Sequence, residues 1–166
     1  MFRKTQDFIR VWTDESAATI KVFEAVTEGF KRQEVAEGFR NLERLAWHIT
    51  ATVEEMGSKI GIVFKRKEEA DEVPGSMAYI ISVYKILSHE LVDAVGKWPE
   101  ADLEKVDNMY GENWVRGSTL MVLVTHQAHH RGQMTVLLRQ AGLKPPGVVG
   151  PVKEDWVSFG QPVPKV

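Results

Sequence analysis

The stretch Leu120-Met-Val-Leu-Val-Thr-His-Gln-Ala-His-His-Arg-Gly-Gln-Met-Thr-Val-Leu-Leu-Arg-Gln-Ala-Gly142 decides the fold. Its apolar residues recur at helical steps, so it reads as a helix over Gly117–Ala141, and Gly142 stands at the C′ position that ends it. This helix is apolar on two sides. With His126 as reference and about 100° per residue, Val122, Leu123, His130, Gln133 and Leu137 share its face. Opposite lie Val124, Ala128, Gly132 and Thr135, flanked by Leu120 and Leu138. A helix apolar on both sides is buried on both sides, so either another helix of the chain or a second copy must cover the second face. The expectation favoured is a two-fold, isologous homodimer.

Three more helices follow from the same periodicity. The first spans Thr5–Thr27, with Phe8, Val11, Trp12, Thr19, Val22, Phe23 and Val26 on one stripe. The second spans Phe39–Lys59, with Leu42, Leu45, Ile49, Met56 and Ile60 on its apolar face and Gly61 as its stop. The third spans Ser76–Lys97 and buries Met77, Ile80, Ile81, Tyr84, Leu87, Leu91 and Val95. The charged segment Phe64–Gly75, with its basic triplet Lys65-Arg66-Lys67, reads as a solvated connection. Glu100–Arg116 reads as irregular, with a short extended piece near Asn113–Arg116. The Pro- and Gly-rich tail from Lys144 cannot continue a helix, yet its Trp156 and Phe159 predict packing on the body. The fold class is therefore all-α: a four-helix bundle forming one domain over residues 1–166, with 144–166 as an irregular tail. The connections are long enough to allow crossovers and a non-sequential helix order.

Composition narrows the chemistry. Lys plus Arg number 21 and Asp plus Glu 23, which speaks against a nucleic-acid binder relying on bulk positive charge. No cysteine is present, so disulfides, thiolate metal sites and a cysteine nucleophile are excluded. Any metal must use His, Asp, Glu or main-chain oxygen, and any thiol in the chemistry must come from another molecule. The longest run of large apolar residues is Leu120–Val124, too short to span a membrane, and the N-terminus lacks the pattern of a signal peptide. The default expectation is a cytoplasmic protein without a membrane or nucleic-acid partner.

The five histidines are His48, His89, His126, His129 and His130. His126 and His130 are four apart, so their rings leave one helix face a turn apart and can converge on one ion. The alternative is a pair of neutral imidazoles hydrogen-bonded in the core, because inward histidines are costly unless satisfied. A third ligand should come from a facing helix, and His48 flanks the apolar stripe of the second. His89 shares its face with Ser82, Lys85 and Asp93 and reads as exposed. Around the cluster, Gln133, Glu55, Glu15 and His129 are candidate catalytic or orienting groups, whereas Arg131 points away. An unperturbed imidazole, with a pKa of about 6.5, predicts metal affinity that weakens as pH falls through that value.

Phe39-Arg-Asn-Leu-Glu-Arg-Leu-Ala-Trp-His-Ile49, together with the stretch from His126 to the Pro145-Pro146 pair, resembles the DinB/YfiT-like family. The second motif is the more specific: His-x3-His, then Arg-Gly-Gln, Leu-Arg, Gly and Pro-Pro. The resemblance implies an up-down-down-up four-helix bundle. It also implies a divalent ion (Zn, Ni, Mn or Fe) on three histidines, which by position are His48, His126 and His130. Some members transfer thiols such as bacillithiol or mycothiol to electrophiles, and one isomerises maleylpyruvate. The expectation is thus a metal-dependent thiol S-transferase acting on a small-molecule substrate. The alternatives are a hydrolase using bound hydroxide and a non-catalytic metal-binding or interaction bundle.

Overall fold

A computed structural model describes residues 1–67 and 70–165 of the chain. Glu68 and Glu69 of the charged connection, and Val166 of the tail, lie outside the described residues. Four long helices carry the molecule: α1 (Thr5–Glu24), α2 (Leu42–Lys59), α3 (Met77–Val95) and α4 (Arg116–Gln140). Two begin on capping side chains. The Asn41 side chain accepts a bond from the Arg44 amide at 2.8 Å, and Ser76 accepts one from the Tyr79 amide at 3.3 Å. Asn41 therefore starts α2 three residues later than Phe39. No side chain of Lys4 caps α1; its first amide, Thr5, instead donates to the Glu100 carboxylate at 2.9 Å, from a short 3-10 turn (Glu100–Glu104). Gly142 sits at φ +74° just past α4, the left-handed conformation that a C′ position requires.

The extended piece expected near Asn113–Arg116 is β2 (Glu112–Val115), and the all-α expectation is corrected by its pairing with β1 (Val106–Met109) in a small antiparallel hairpin. Its two-residue turn, Tyr110-Gly111, has φ of 56° and 89°, the left-handed pair that suits the twist of a tight hairpin. Asn-Gly would have announced such a turn, but Tyr-Gly does not. Asp107 receives two bonds from the Arg116 guanidinium, at 2.8 and 2.7 Å, which ties the hairpin to the first turn of α4.

The helices pack in a ring: α2 lies against α3 and α4, and α1 against α3 and α4. The core runs through all four and includes Phe8, Trp12, Phe23, Trp47, Ile49, Tyr84, Leu87 and Leu138. The start of α4 lies against the N-terminus, where the Phe2 amide donates to the Gly117 carbonyl at 3.1 Å. A Cβ on Gly117 would stand 2.3 Å from the Phe2 carbonyl oxygen, so only glycine fits. In the tail, a single helical turn, α5 (Asp155–Ser158), is held by Arg139–Glu154 and Lys144–Asp155 ion pairs. Trp156 is half-buried there, but Phe159 is 61% exposed, against the packing expected of it. Among the described residues no helix is long and apolar enough to cross a membrane.

The second face of α4 is covered only in part within the chain: Ala128 and Thr135 are half-buried. Leu120, Val124 and Leu138 are buried. Between them α4 presents Gln127 and Arg131 to α1. The strip at Gly132 is different: it is exposed, with open space where a Cβ would stand.

Candidate metal centre

The Asn41 cap sets the phase of α2, so that Trp47 and Ile49 are buried and His48, between them, is half-buried. Across the interface α4 presents His126, half-buried, and His130, buried at 8% exposure. His48 Nε2 lies 3.2 Å from His126 Nε2 and 3.1 Å from His130 Nε2. The three rings meet edge to face, with centroids 4.5 to 4.9 Å apart. The structure thus brings together the three histidines of the sequence reading. His89 lies elsewhere, exposed and 3.3 Å from Asp93.

The spacing fits a bound ion better than a hydrogen-bonded core. A neutral imidazole carries one N–H, so His48 Nε2 can offer at most one proton to two nitrogens at hydrogen-bond distance. His130 has its own proton on the other side of the ring, where Nδ1 donates to Gln133 Oε1 at 2.8 Å. Its Nε2 therefore presents a lone pair to the cluster. Three nitrogens around one tetrahedral ion at about 2.0–2.1 Å stand roughly 3.3 Å apart, close to the separations seen. The group could hold a metal ion.

Electrostatics keep these rings ready to ligate. Burial holds His48 down at about 4, helped by the Arg40 guanidinium and by the other two imidazoles. Burial likewise holds His126 at about 4, with His130, His129 and Arg40 adding to it. Burial also lowers His130, against the contact with Gln133. The site is therefore neutral at pH 7, with its lone pairs free of protons.

The four candidate groups around the cluster divide into two sets. Gln133 and His129 lie against it. Gln133 accepts from His130 Nδ1 and donates through Nε2 to His129 Nε2 at 3.2 Å, which fixes both the amide and the His130 tautomer. Gln133 does this from an exposed position rather than from the interior. The other two have different partners. Glu55 accepts from the Tyr110 hydroxyl at 3.0 Å, and Glu15 accepts from Arg131 at 2.7 Å. Arg131 is the clear correction: it is 2% exposed and points into the bundle, not away from it. Its guanidinium donates to the Glu15 carboxylate, to the Glu15 carbonyl at 3.0 Å and to Thr19 Oγ1 at 3.2 Å. Beside it, Gln127 Oε1 accepts from the Tyr84 hydroxyl at 2.5 Å and from Thr19 at 3.2 Å. The signal for this network was Glu15, a carboxylate set within an apolar stripe, which called for a buried cation opposite.

Removing the Gln133 contact tests its role. Gln133→Leu is expected to weaken metal binding roughly 10- to 100-fold, the usual effect of losing a partner that orients a ligand histidine, with the fold intact. Chelator competition reads this directly, and an unchanged Kd would show that Gln133 does not orient His130.

The DinB family model matches residues 1–162. The uncharacterized protein YrdA of Bacillus subtilis (strain 168) is 38% identical over 167 residues, covering all of both chains. The crystal structure of a DinB-like protein from Bacillus cereus ATCC 10987 superposes with a TM-score of 0.84 at 36% identity, over 89% of this chain and 99% of that one. A second DinB-like protein, YjoA of Bacillus subtilis, shares the fold with a TM-score of 0.66 at 16% identity, over 82% of this chain and 92% of its own.

Proposed function

The chain belongs to the DinB family, and from that premise we propose that it binds one divalent ion on His48, His126 and His130 and uses it to activate a small-molecule thiol for transfer to an electrophile. The observation that carries this reading is the convergence of three neutral Nε2 atoms within about one coordination sphere. A divalent ion held there supplies Lewis acidity that lowers the pKa of a coordinated thiol. An ion held by these three nitrogens alone would have room for a substrate ligand. The residues' own work is to hold that geometry: Gln133 keeps His130 in the Nδ1–H tautomer, and the Arg131–Glu15 pair anchors the next residue of α4 to α1. In the reaction the thiol loses its proton to solvent. Its sulfur then bonds the electrophilic carbon, and the leaving group departs with that carbon's former bonding pair.

The absence of cysteine from the chain supports an external thiol. We also read the bundle as up-down-down-up. Phe23 meets Tyr84 and Trp12 meets Ser88, which supports α1 and α3 running in opposite directions. Phe2 meets Gly117 and Glu15 meets Arg131, which supports α1 and α4 running in the same one.

The test is turnover of an electrophile with added metal and added low-molecular-weight thiol, compared with the same protein after chelation. Activity should require both additions and vanish in His126→Ala at unchanged helix content. Metal-dependent cleavage of esters or amides without thiol, and none with it, would make the protein a hydrolase. No turnover in either assay would leave a metal-binding bundle.

A pH dependence follows from the lowered histidines. Folded His48 and His126 titrate near 4, below the unfolded value of about 6.5. Between these values the unfolded chain binds protons that the folded chain refuses, so the metal-free protein loses stability as pH falls from about 6.5 toward 4. Above 6.5 the contribution is complete. Thermal unfolding after chelation should show this slope, and His48→Gln/His126→Gln should flatten it; parallel slopes would assign the effect elsewhere. Proton competition with the metal follows the folded values, so affinity should hold to about pH 5 and fall toward 4, lower than the free imidazole predicts.

A further inference from the structure

A cavity of about 480 Å³ opens beside the triad, between the segment before α2 and the outer face of α4. It shares Gln133 with the centre, since the same amide lines the cavity and bonds His130. Its volume is that of a small-molecule site. The walls are otherwise apolar, with Val35, Phe39, Leu45 and Val136 among them, and Arg40 is the one charged side chain in the lining. Val35, Phe39 and Val136 are 60, 65 and 56% exposed, which leaves apolar surface to water around a concave site. Arg40 has no hydrogen bond or ion pair among the described residues, and no carboxylate lines the cavity to neutralise it. A concave site of this composition selects for a ligand that is apolar along its body and anionic at one end.

We propose that this cavity binds the second substrate, an amphipathic carboxylate whose head is held by Arg40 and whose apolar body lies along Val35, Phe39 and Val136, with its reactive atom toward the histidines. The assignment deepens the metal-centre reading and rests on it for the identity of the reaction, but the cavity residues themselves are separate from the triad.

The experiment measures binding rather than turnover. Octanoate, octanol and propionate are titrated calorimetrically into the zinc-loaded and the chelator-treated protein, in the wild type and in Arg40→Gln, Val136→Asp and Lys97→Gln. Octanoate should bind in both metal states, about tenfold more tightly than octanol, by the margin a charge-assisted bond gives at a partly exposed cation. Arg40→Gln should remove that margin and leave octanol unchanged. Val136→Asp should weaken both eight-carbon probes, propionate should bind weakly throughout, and exposed Lys97→Gln should change nothing. Equal affinity for octanoate and octanol, or an octanoate affinity indifferent to Arg40→Gln, overturns the proposal. If Val136→Asp turns a dimer into a monomer with octanoate binding unchanged, the apolar wall is a self-association face and the proposal also fails. The two readings separate cleanly. Octanoate binding retained in His130→Ala without metal or thiol transfer in the wild type would leave the cavity assignment standing and the reaction wrong, whereas thiol transfer without octanoate binding would do the reverse.

Discussion

A His130→Ala protein is expected to bind divalent metal more than a hundredfold more weakly than the wild type, while His89→Ala binds it unchanged. The apparent free energy of zinc held by four protein ligands is of order 10–16 kcal/mol, or about 3 kcal/mol per ligand, which corresponds to that fold-change. His130 is the ligand to remove first. Its Nδ1 is engaged by Gln133 and its Nε2 stands 3.1 Å from His48 Nε2, so it is the most firmly oriented ring of the three. His89 is exposed and remote, and it serves as the control for a generic loss of imidazole. Competition against a chromophoric chelator gives the affinities, and circular dichroism checks that helix content is kept. Equal metal content in the two variants would show that the three-histidine group is not the site.

The second large effect is on stability. Arg131→Met is expected to cost about 3 kcal/mol, because it leaves the Glu15 carboxylate without its cation in a mostly buried place. The low end of the usual range for breaking a buried pair applies, since the Glu15 side chain is 24% exposed and water can reach part of it. For a chain of this length that loss lowers Tm by roughly 6–12 °C. Glu15→Gln in the same protein should recover part of it, because an amide tolerates the loss of the guanidinium better than a carboxylate does. A shift of under about 2 °C for Arg131→Met would mean that Thr19, Gln127 and Tyr84 hold α1 to α4 without it.

Why the sequence disclosed some of this and not the rest can be followed residue by residue. The four helices were legible because each has a long apolar stripe, and Gly61 and Gly142, both left-handed, mark the ends of two of them. The histidine cluster was legible because i,i+4 spacing fixes two rings on one face whatever the tertiary context. Arg131 was not, because a helical wheel gives an angle and not an occupant. Its direction lies between Val124 and Leu138, and an arginine there can as well reach solvent as a buried carboxylate. Only the position of Glu15 on another helix decides, and that is a tertiary fact. The hairpin was hidden for a related reason. Val106–Met109 is short and polar, and its turn uses Tyr110 in a left-handed conformation that tyrosine seldom adopts. Arg40 stood inside the recognised motif, but its role depends on a cavity that joins two segments nearly a hundred residues apart.

The ring of helices carries a consequence for synthesis. α1 packs on α3 and α4 rather than on its chain neighbour α2, and Phe2, just before it, rests on Gly117. As the chain leaves the ribosome, Phe8, Trp12 and Phe23 must therefore wait for partners that are made much later. Contacts this far apart in sequence slow the search for the native arrangement, because a long loop must close before any of them forms. A nascent chain that stalls before α4 holds an aromatic helix with only α3 to cover it, and the side meant for α4 is the kind of surface that chaperones bind and that aggregates form on.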